Sequence, residues 1–170
     1  MCQCTPAIRT PFCGRGDCQS PPRRIPSVRL ATLEDEPAMV RMGVRFLAEG
    51  PYPNVAPNPA QVSAVVGTVI RQGFAAIAET DAIVGMLLGW STPNPITGLV
   101  TVAEVAWWME PEHRGSRAAV VLFQAFETWA RTRDAGAIHM IAPAGSTVGH
   151  FYERQGYRPL ETIWEKRVTA

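Results

Sequence analysis

Glu104 is the one charged residue in the apolar run from Val102 to Met109. An ionised carboxylate inside a strand is costly unless it is paired or put to use, which makes it a candidate acid or base; an edge or salt-bridged glutamate is the structural alternative. Beyond it the chain breaks at Pro111, passes through Arg114 and Gly115, and enters Ser116 to Arg133, where Ala119, Leu122, Phe123, Phe126 and Ala130 recur at helical spacing. Strand, turn and helix in that order make a natural anion site. The first N–H groups of a helix have no internal partner and carry the positive end of its dipole, so a pyrophosphate can accept several hydrogen bonds there. Arg114 and Arg117 add charge at that turn.

The elements that must hold these residues follow from local pattern. Val28 to Ala31 alternates as a strand, and Thr32 with Asp35 opens a helix that runs to about Glu49. Pro51, Pro53 and Pro57 break the chain, and Asn58 followed by Pro59 starts a second helix that ends near Gly73. Phe74 to Glu79 and Ile83 to Trp90 form a hairpin around Thr80 to Ala82, and Val100 to Met109 forms the next strand after a loop marked by Pro93, Pro95 and Gly98. After the amphipathic helix come a short strand from Ala137 to Ile141, a short helix from Thr147 to Gln155 stopped at Gly156, and a terminal strand region from Tyr157 to Val168. The fold expected is mixed α/β, a mostly antiparallel central sheet with flanking helices.

With 170 residues, 46% of them hydrophobic, the chain holds one domain with a sizeable core. A formal charge of +1 supplies no global field toward nucleic acid or a membrane. No apolar run reaches membrane-spanning length and the N-terminus lacks a signal-peptide pattern, so the cytoplasm is the expected compartment. All four cysteines, Cys2, Cys4, Cys13 and Cys18, precede a proline-rich stretch ending at Pro26. Residues 1–26 therefore read as an extension and linker, and residues 27–170 as the domain. In a reducing compartment the four thiols are either a structural zinc clip or free thiols on an unstructured tail. His113, His139 and His150 make no ligand pattern with one another.

Arg114-Gly115-Ser116-Arg117-Ala118-Ala119 resembles the cofactor loop of the GNAT (GCN5-related N-acetyltransferase) family, Gln/Arg-x-x-Gly-x-Gly/Ala, with Arg117 where the family usually has glycine. Phe151-Tyr152-Glu153-Arg154-Gln155-Gly156-Tyr157 is similar to the family's Phe-Tyr-Glu-Lys-x-Gly-Phe segment. The asparagine that many members carry shortly before that tyrosine has no counterpart among Gly145, Ser146 and Thr147. The leader is also similar to short cysteine-containing leaders of some phage-encoded proteins.

The resemblance implies the acyl-CoA N-acyltransferase fold and transfer of an acetyl group from acetyl-CoA to an amine on a small molecule or protein. By it Glu104 is the base, ten residues before the loop's first arginine, and Tyr152 is the acid that protonates the departing thiolate. Backbone groups of Trp107, Trp108 and Met109 face the pantetheine arm, and Arg114 to Val120, with Gly115, Ser116, Arg117, Ala118 and Ala119 between them, cradles the phosphates. The bland alternatives are a packed aromatic for Tyr152 and two core tryptophans. Two other classes remain: a phage-type enzyme of the same fold that modifies nucleic acid, and a non-catalytic CoA-binding module in which Arg117 marks a degraded loop. No metal is needed for catalysis. If the cysteines form a zinc clip, titrating zinc into the reduced protein will release thiol protons and order residues before Pro21; a titration that does neither removes the clip.

Overall fold

The computed structural model describes residues 26–50, 56–166 and 168; the four cysteines and their zinc reading lie outside them. β1 (Ser27–Leu30) leads through a one-turn 3-10 helix into α1 (Glu36–Glu49), and α2 (Pro59–Gln72) follows. Next come β2 (Phe74–Glu79), β3 (Ile83–Pro93) and β4 (Val100–Met109), then α3 (Arg117–Thr132), β5 (Ala137–His139) and α4 (Val148–Arg154). The five strands lie in the order β1-β2-β3-β4-β5, antiparallel throughout except for the parallel pair β4 and β5. This is the mixed, mostly antiparallel sheet that the sequence pattern implies.

The sheet is covered on both faces. Strand alternation divides β2 cleanly, sending Phe74, Ala76 and Ala78 to a core against α3, with Leu122 and Phe126, and Ala75 and Ile77 to a core against α1 and α2, with Met39, Val66 and Val69. Phe126 lies so close over β3 that a Cβ on Gly89 would collide with its ring, so only glycine lets α3 settle there. Local chemistry fixes the ends. The Asn58 side chain accepts from the N–H groups of Ala60 and Gln61 at 3.1 and 3.3 Å, and Pro59, which has no N–H to satisfy, occupies the first helical position.

Two expectations are corrected. β5 stops at His139 rather than Ile141, because the main-chain groups of Ile141 are taken by side chains: its N–H donates to Glu104 and its carbonyl accepts from Tyr152. The terminal strand expected over Tyr157 to Val168 is absent among the described residues, where Leu160, Ile163 and Trp164 are exposed. A three-residue β5 gives a poor template for another strand, and Pro159 cannot donate to a ladder. Among the described residues no helix is long and apolar enough to cross a membrane, and no cluster of three metal-ligating side chains occurs.

Arg29 of β1 joins the sheet to the start of α1. Its guanidinium donates to both oxygens of Asp35, at 2.7 and 2.9 Å, and to Glu79 of β2 at 3.0 and 3.1 Å. Asp35 also accepts from the Thr32 N–H at 2.8 Å. The Arg29 hydrogen bonds hold the Asp35 carboxyl down at about 2, below its ordinary 3.8, although burial opposes them. The folded state thus binds this proton less tightly than the unfolded chain, so the network stabilises the fold above about pH 4 and loses that contribution as pH falls through about 2. Asp35→Asn should lower the denaturation midpoint at neutral pH, and its gap from the parent should close between about pH 4 and about pH 2. A gap that persists at the acid end contradicts the assignment.

Candidate active site

β4 keeps β5 as a neighbour only through Thr101↔Ala137, Val102↔Ile138 and Ala103↔His139. From Glu104 to Met109 that side of β4 has no partner strand among the described residues, so its main-chain donors and acceptors face an opening between the two strands. On the other side β4 carries a bulge. Leu88 pairs with Ala106 and Gly89 with Glu104, leaving Val105 as the extra residue. Val105, Ala106 and Trp108 pack toward α1 and α2, whereas Trp107 and Met109 pack toward α3.

Glu104 reaches into the opening. It is 8% exposed, and its Oε2 accepts from the Ile141 N–H at 3.1 Å and lies 3.5 Å from the Tyr152 hydroxyl. The same hydroxyl is 3.3 Å from the Ile141 carbonyl, so one proton has two acceptors. Burial pushes the Glu104 carboxyl up to about 7, against the opposing pull of the Ile141 N–H, the Tyr152 hydroxyl and the Trp107 N–H. Tyr152 moves further from ionisation because it is buried and faces that carboxylate. The tyrosine therefore keeps its proton throughout the ordinary pH range, and the glutamate changes state near neutrality. The two side chains singled out from sequence, 48 residues apart, are in direct contact.

An aromatic cluster fixes the tyrosine. Tyr152 on α4 lies against Trp107 and Phe123 with ring centroids 6.2 and 6.3 Å apart, and Phe151 and Tyr157 close the group. Trp107 thus packs on the α3 side while Trp108 packs on the other, as alternate strand positions require.

The turn after β4 presents the start of α3. Ser116 is the N-cap, its N–H donates to the His113 carbonyl at 3.3 Å, and its Oγ is buried without a partner. The N–H groups of Arg117, Ala118 and Ala119 are the next three and lack helical acceptors. Gly115 adopts φ 68° with open space where a Cβ would be, the left-handed geometry that brings the chain round to the helix. Three unpaired donors and an orphaned hydroxyl at a helix start fit a diphosphate, and the unpaired edge of β4 fits an amide-bearing arm. Arg117 is exposed there. Arg114, in contrast, turns its guanidinium to Glu49, the Met109 carbonyl and the Trp108 ring. Neither the Ile141 main chain nor Glu49 is distinguished in the sequence by any motif.

The sequence profile of the acetyltransferase (GNAT) family matches residues 57–157. No curated protein sequence matches the chain. Among solved structures, a transcriptional regulator from Bacillus halodurans C-125 is 19% identical, with a TM-score of 0.67 over 84% of this chain and 99% of that one. A protein from Clostridium acetobutylicum described as a predicted acetyltransferase with acetyl-CoA is 18% identical, with a TM-score of 0.67 over 84% and 96%. The ribosomal-protein-alanine N-acetyltransferase of Brucella melitensis biovar Abortus 2308 is 19% identical, with a TM-score of 0.60 over 85% and 98%. At such identities the likeness is one of fold.

The raised Glu104 carboxyl also has a cost for the fold. The folded protein holds this proton more tightly than the unfolded chain, so stability declines as pH rises from about 4.5 to about 7, by roughly 3 kcal/mol, and then levels. Glu104→Gln, which cannot ionise, should flatten that slope in urea denaturation between about pH 5 and about pH 8. An unchanged slope means that the carboxyl is not desolvated.

Proposed function

The chain belongs to the GNAT acetyltransferase family, and we propose that it transfers the acetyl group of acetyl-CoA to the amine of a small-molecule or protein acceptor by direct attack on the thioester. The observation that carries this reading is the contact between Glu104 and Tyr152 inside the opening between β4 and β5. The residues 27–170 form the transferase domain. Acetyl-CoA, when bound, supplies an activated acyl group and a thiolate that leaves once it is protonated.

The chain's own groups divide that work. The start of α3, from Arg114 to Val120, binds phosphate oxygens through the unpaired N–H groups of Arg117 to Ala119, with the Ser116 hydroxyl beside them. The edge of β4 at Trp107, Trp108 and Met109 faces the pantetheine arm, with the Met109 carbonyl held by Arg114 and the Trp107 N–H turned toward Glu104. Glu104, at about 7, is poised near neutral pH to take the extra proton of a bound ammonium and pass it to solvent, and then to take the proton that the freed amine loses as it attacks. Tyr152 gives its proton to the departing sulfur. Glu104, then protonated and 3.5 Å away, returns a proton to the tyrosine oxygen, so the pair is reset with one proton moved from amine to sulfur. Burial favours both steps, since neither group has water to compete with its partner.

The reading sets kinetic expectations. Glu104→Gln should lower kcat near neutral pH by about ten- to ten-thousand-fold, the span of general acid–base catalysis, with CoA affinity by calorimetry nearly intact. Part of that loss should return at high pH, where more acceptor is already neutral. The parent's rate profile should show a break at about 7 that vanishes in the variant, leaving only the rise set by the acceptor's own ionisation. Tyr152→Phe should lower kcat without recovery at high pH and, because the hydroxyl helps hold the carboxyl down, should move that break upward. The parent's rate retained across pH in Glu104→Gln removes Glu104 from the mechanism. A panel of amines, peptides and nucleic acids incubated with acetyl-CoA and read by mass spectrometry identifies the acceptor class, and acetylation confined to nucleic acid overturns the acceptor proposed here.

A further inference from the structure

The turn that precedes α3 is held to itself by short-range bonds: the N–H of His113 donates to the Glu110 carbonyl, that of Arg114 to Pro111 and that of Ser116 to His113. Two ion pairs tie it to a different element. Arg114 reaches Glu49 of α1 at 2.8 Å, and Glu110 receives Arg45 of α1 at 2.6 Å. The pairs are reciprocal. α1 supplies a cation and, one helical turn later, an anion; the turn supplies an anion and then a cation. Between them lies the Trp108 ring, 6% exposed, with the Arg114 guanidinium 4.6 Å and that of Arg45 5.8 Å from its centroid, and the Phe46 ring edge-on at 6.5 Å.

We propose that Glu49 and Trp108 are positioning residues which, by gripping Arg114, fix the turn so that the N–H groups at the start of α3 are held ready for phosphate. This rests on the reading of that turn as the CoA cradle. Three observations support it. The guanidinium of Arg114 is already engaged by a carboxylate, a main-chain carbonyl and an aromatic face, since its Nε also donates to the Met109 carbonyl at 3.2 Å. The cluster's two cations are matched by two anions, so it contributes geometry rather than net field. Gly115, at φ 68°, has no neighbour within 4 Å of where a Cβ would sit, so the turn gains nothing from packing at that point. An ion pair half exposed to water is worth little alone, but one stacked on a buried indole and duplicated by a second pair sets an orientation. The arginine thus serves the cradle from behind.

The test uses the full chain, CoA as probe, and the variants Arg114→Glu, Glu49→Arg and the two combined. Amide hydrogen exchange at positions 113, 114 and 116, whose N–H groups are bonded within the turn, is read without ligand, and CoA affinity by calorimetry. Each single change should speed exchange at those residues, leave β2 and β3 protected, and weaken CoA binding about three- to tenfold; the combined swap re-forms the ion pair but not the arginine's contacts with the Trp108 ring and the Met109 carbonyl, so it should recover part of both. If a reversal unfolds the domain, Arg114→Gln and Glu49→Gln replace the reversals, and each should speed exchange at the same three positions. Unchanged exchange in the single variants overturns the proposal. So does a swap that restores protection but leaves CoA binding as weak as in Arg114→Glu, because the arginine is then a phosphate ligand. Failure of the parent to bind CoA sinks the cofactor reading instead, and the exchange arm still decides whether Glu49 holds the turn.

Discussion

The pairing of β4 with β5 stops after three residues, and main-chain groups left over at such a point must find partners or be reached by solvent. Ile141 finds them in side chains, giving its N–H to a glutamate and its carbonyl to a tyrosine. Those two bonds do more than complete a ladder. They bring a carboxylate from the sheet and a phenol from α4 together in a place that burial keeps dry, and burial is the cause of the carboxyl's rise to about 7. An unbroken β4/β5 ladder would satisfy the same backbone groups without those side chains and leave no opening.

The rest of the molecule serves to hold that opening at a fixed width. On one face the aromatic group of Trp107, Phe123, Phe151 and Tyr152 seats α4 against α3 and so fixes the phenol. On the other, Met39, Met42, Val66 and Trp108 seat α1 and α2. The strand between them is shared, so a change in packing on either side is felt at Glu104. Close packing on both faces makes such a strand hard to bend.

Much of this was legible in the residues. The 3.6-residue recurrence from Ala119 to Ala130 located α3, Asn58 and Pro59 located α2, and the solitary charge at Glu104 marked the candidate site. These signals are local, and local physics sets them. Two kinds of feature escaped. The partners of Arg114 and of Glu104 lie 65 and 37 residues away, and no spacing rule couples positions that only the fold brings together. The truncated β5 and the lack of a strand among the described residues from Tyr157 to Val168 escaped for a related reason. A run such as Ile163 and Trp164 carries strand propensity, but propensity is realised only where a neighbouring edge offers free groups in register, and β5 offers three residues.

The extra residue in β4 bears on how this gene could vary. Val102 and Glu104 point to the α3 side, Val105 and Ala106 both point to the α1 and α2 side, and alternation then resumes with Trp107 and Trp108 exchanged relative to an unbroken strand. Deleting the Val105 codon would leave a regular strand in which Glu104 still pairs with Gly89 and Ala106 with Leu88, so the aromatic that stacks on Tyr152 and the ring beside Arg114 would keep their sides. A strand of the present length without the bulge would instead exchange the two tryptophans. The bulge thus lets β4 carry one residue more than its partner while the pairing on either side of it stays in register.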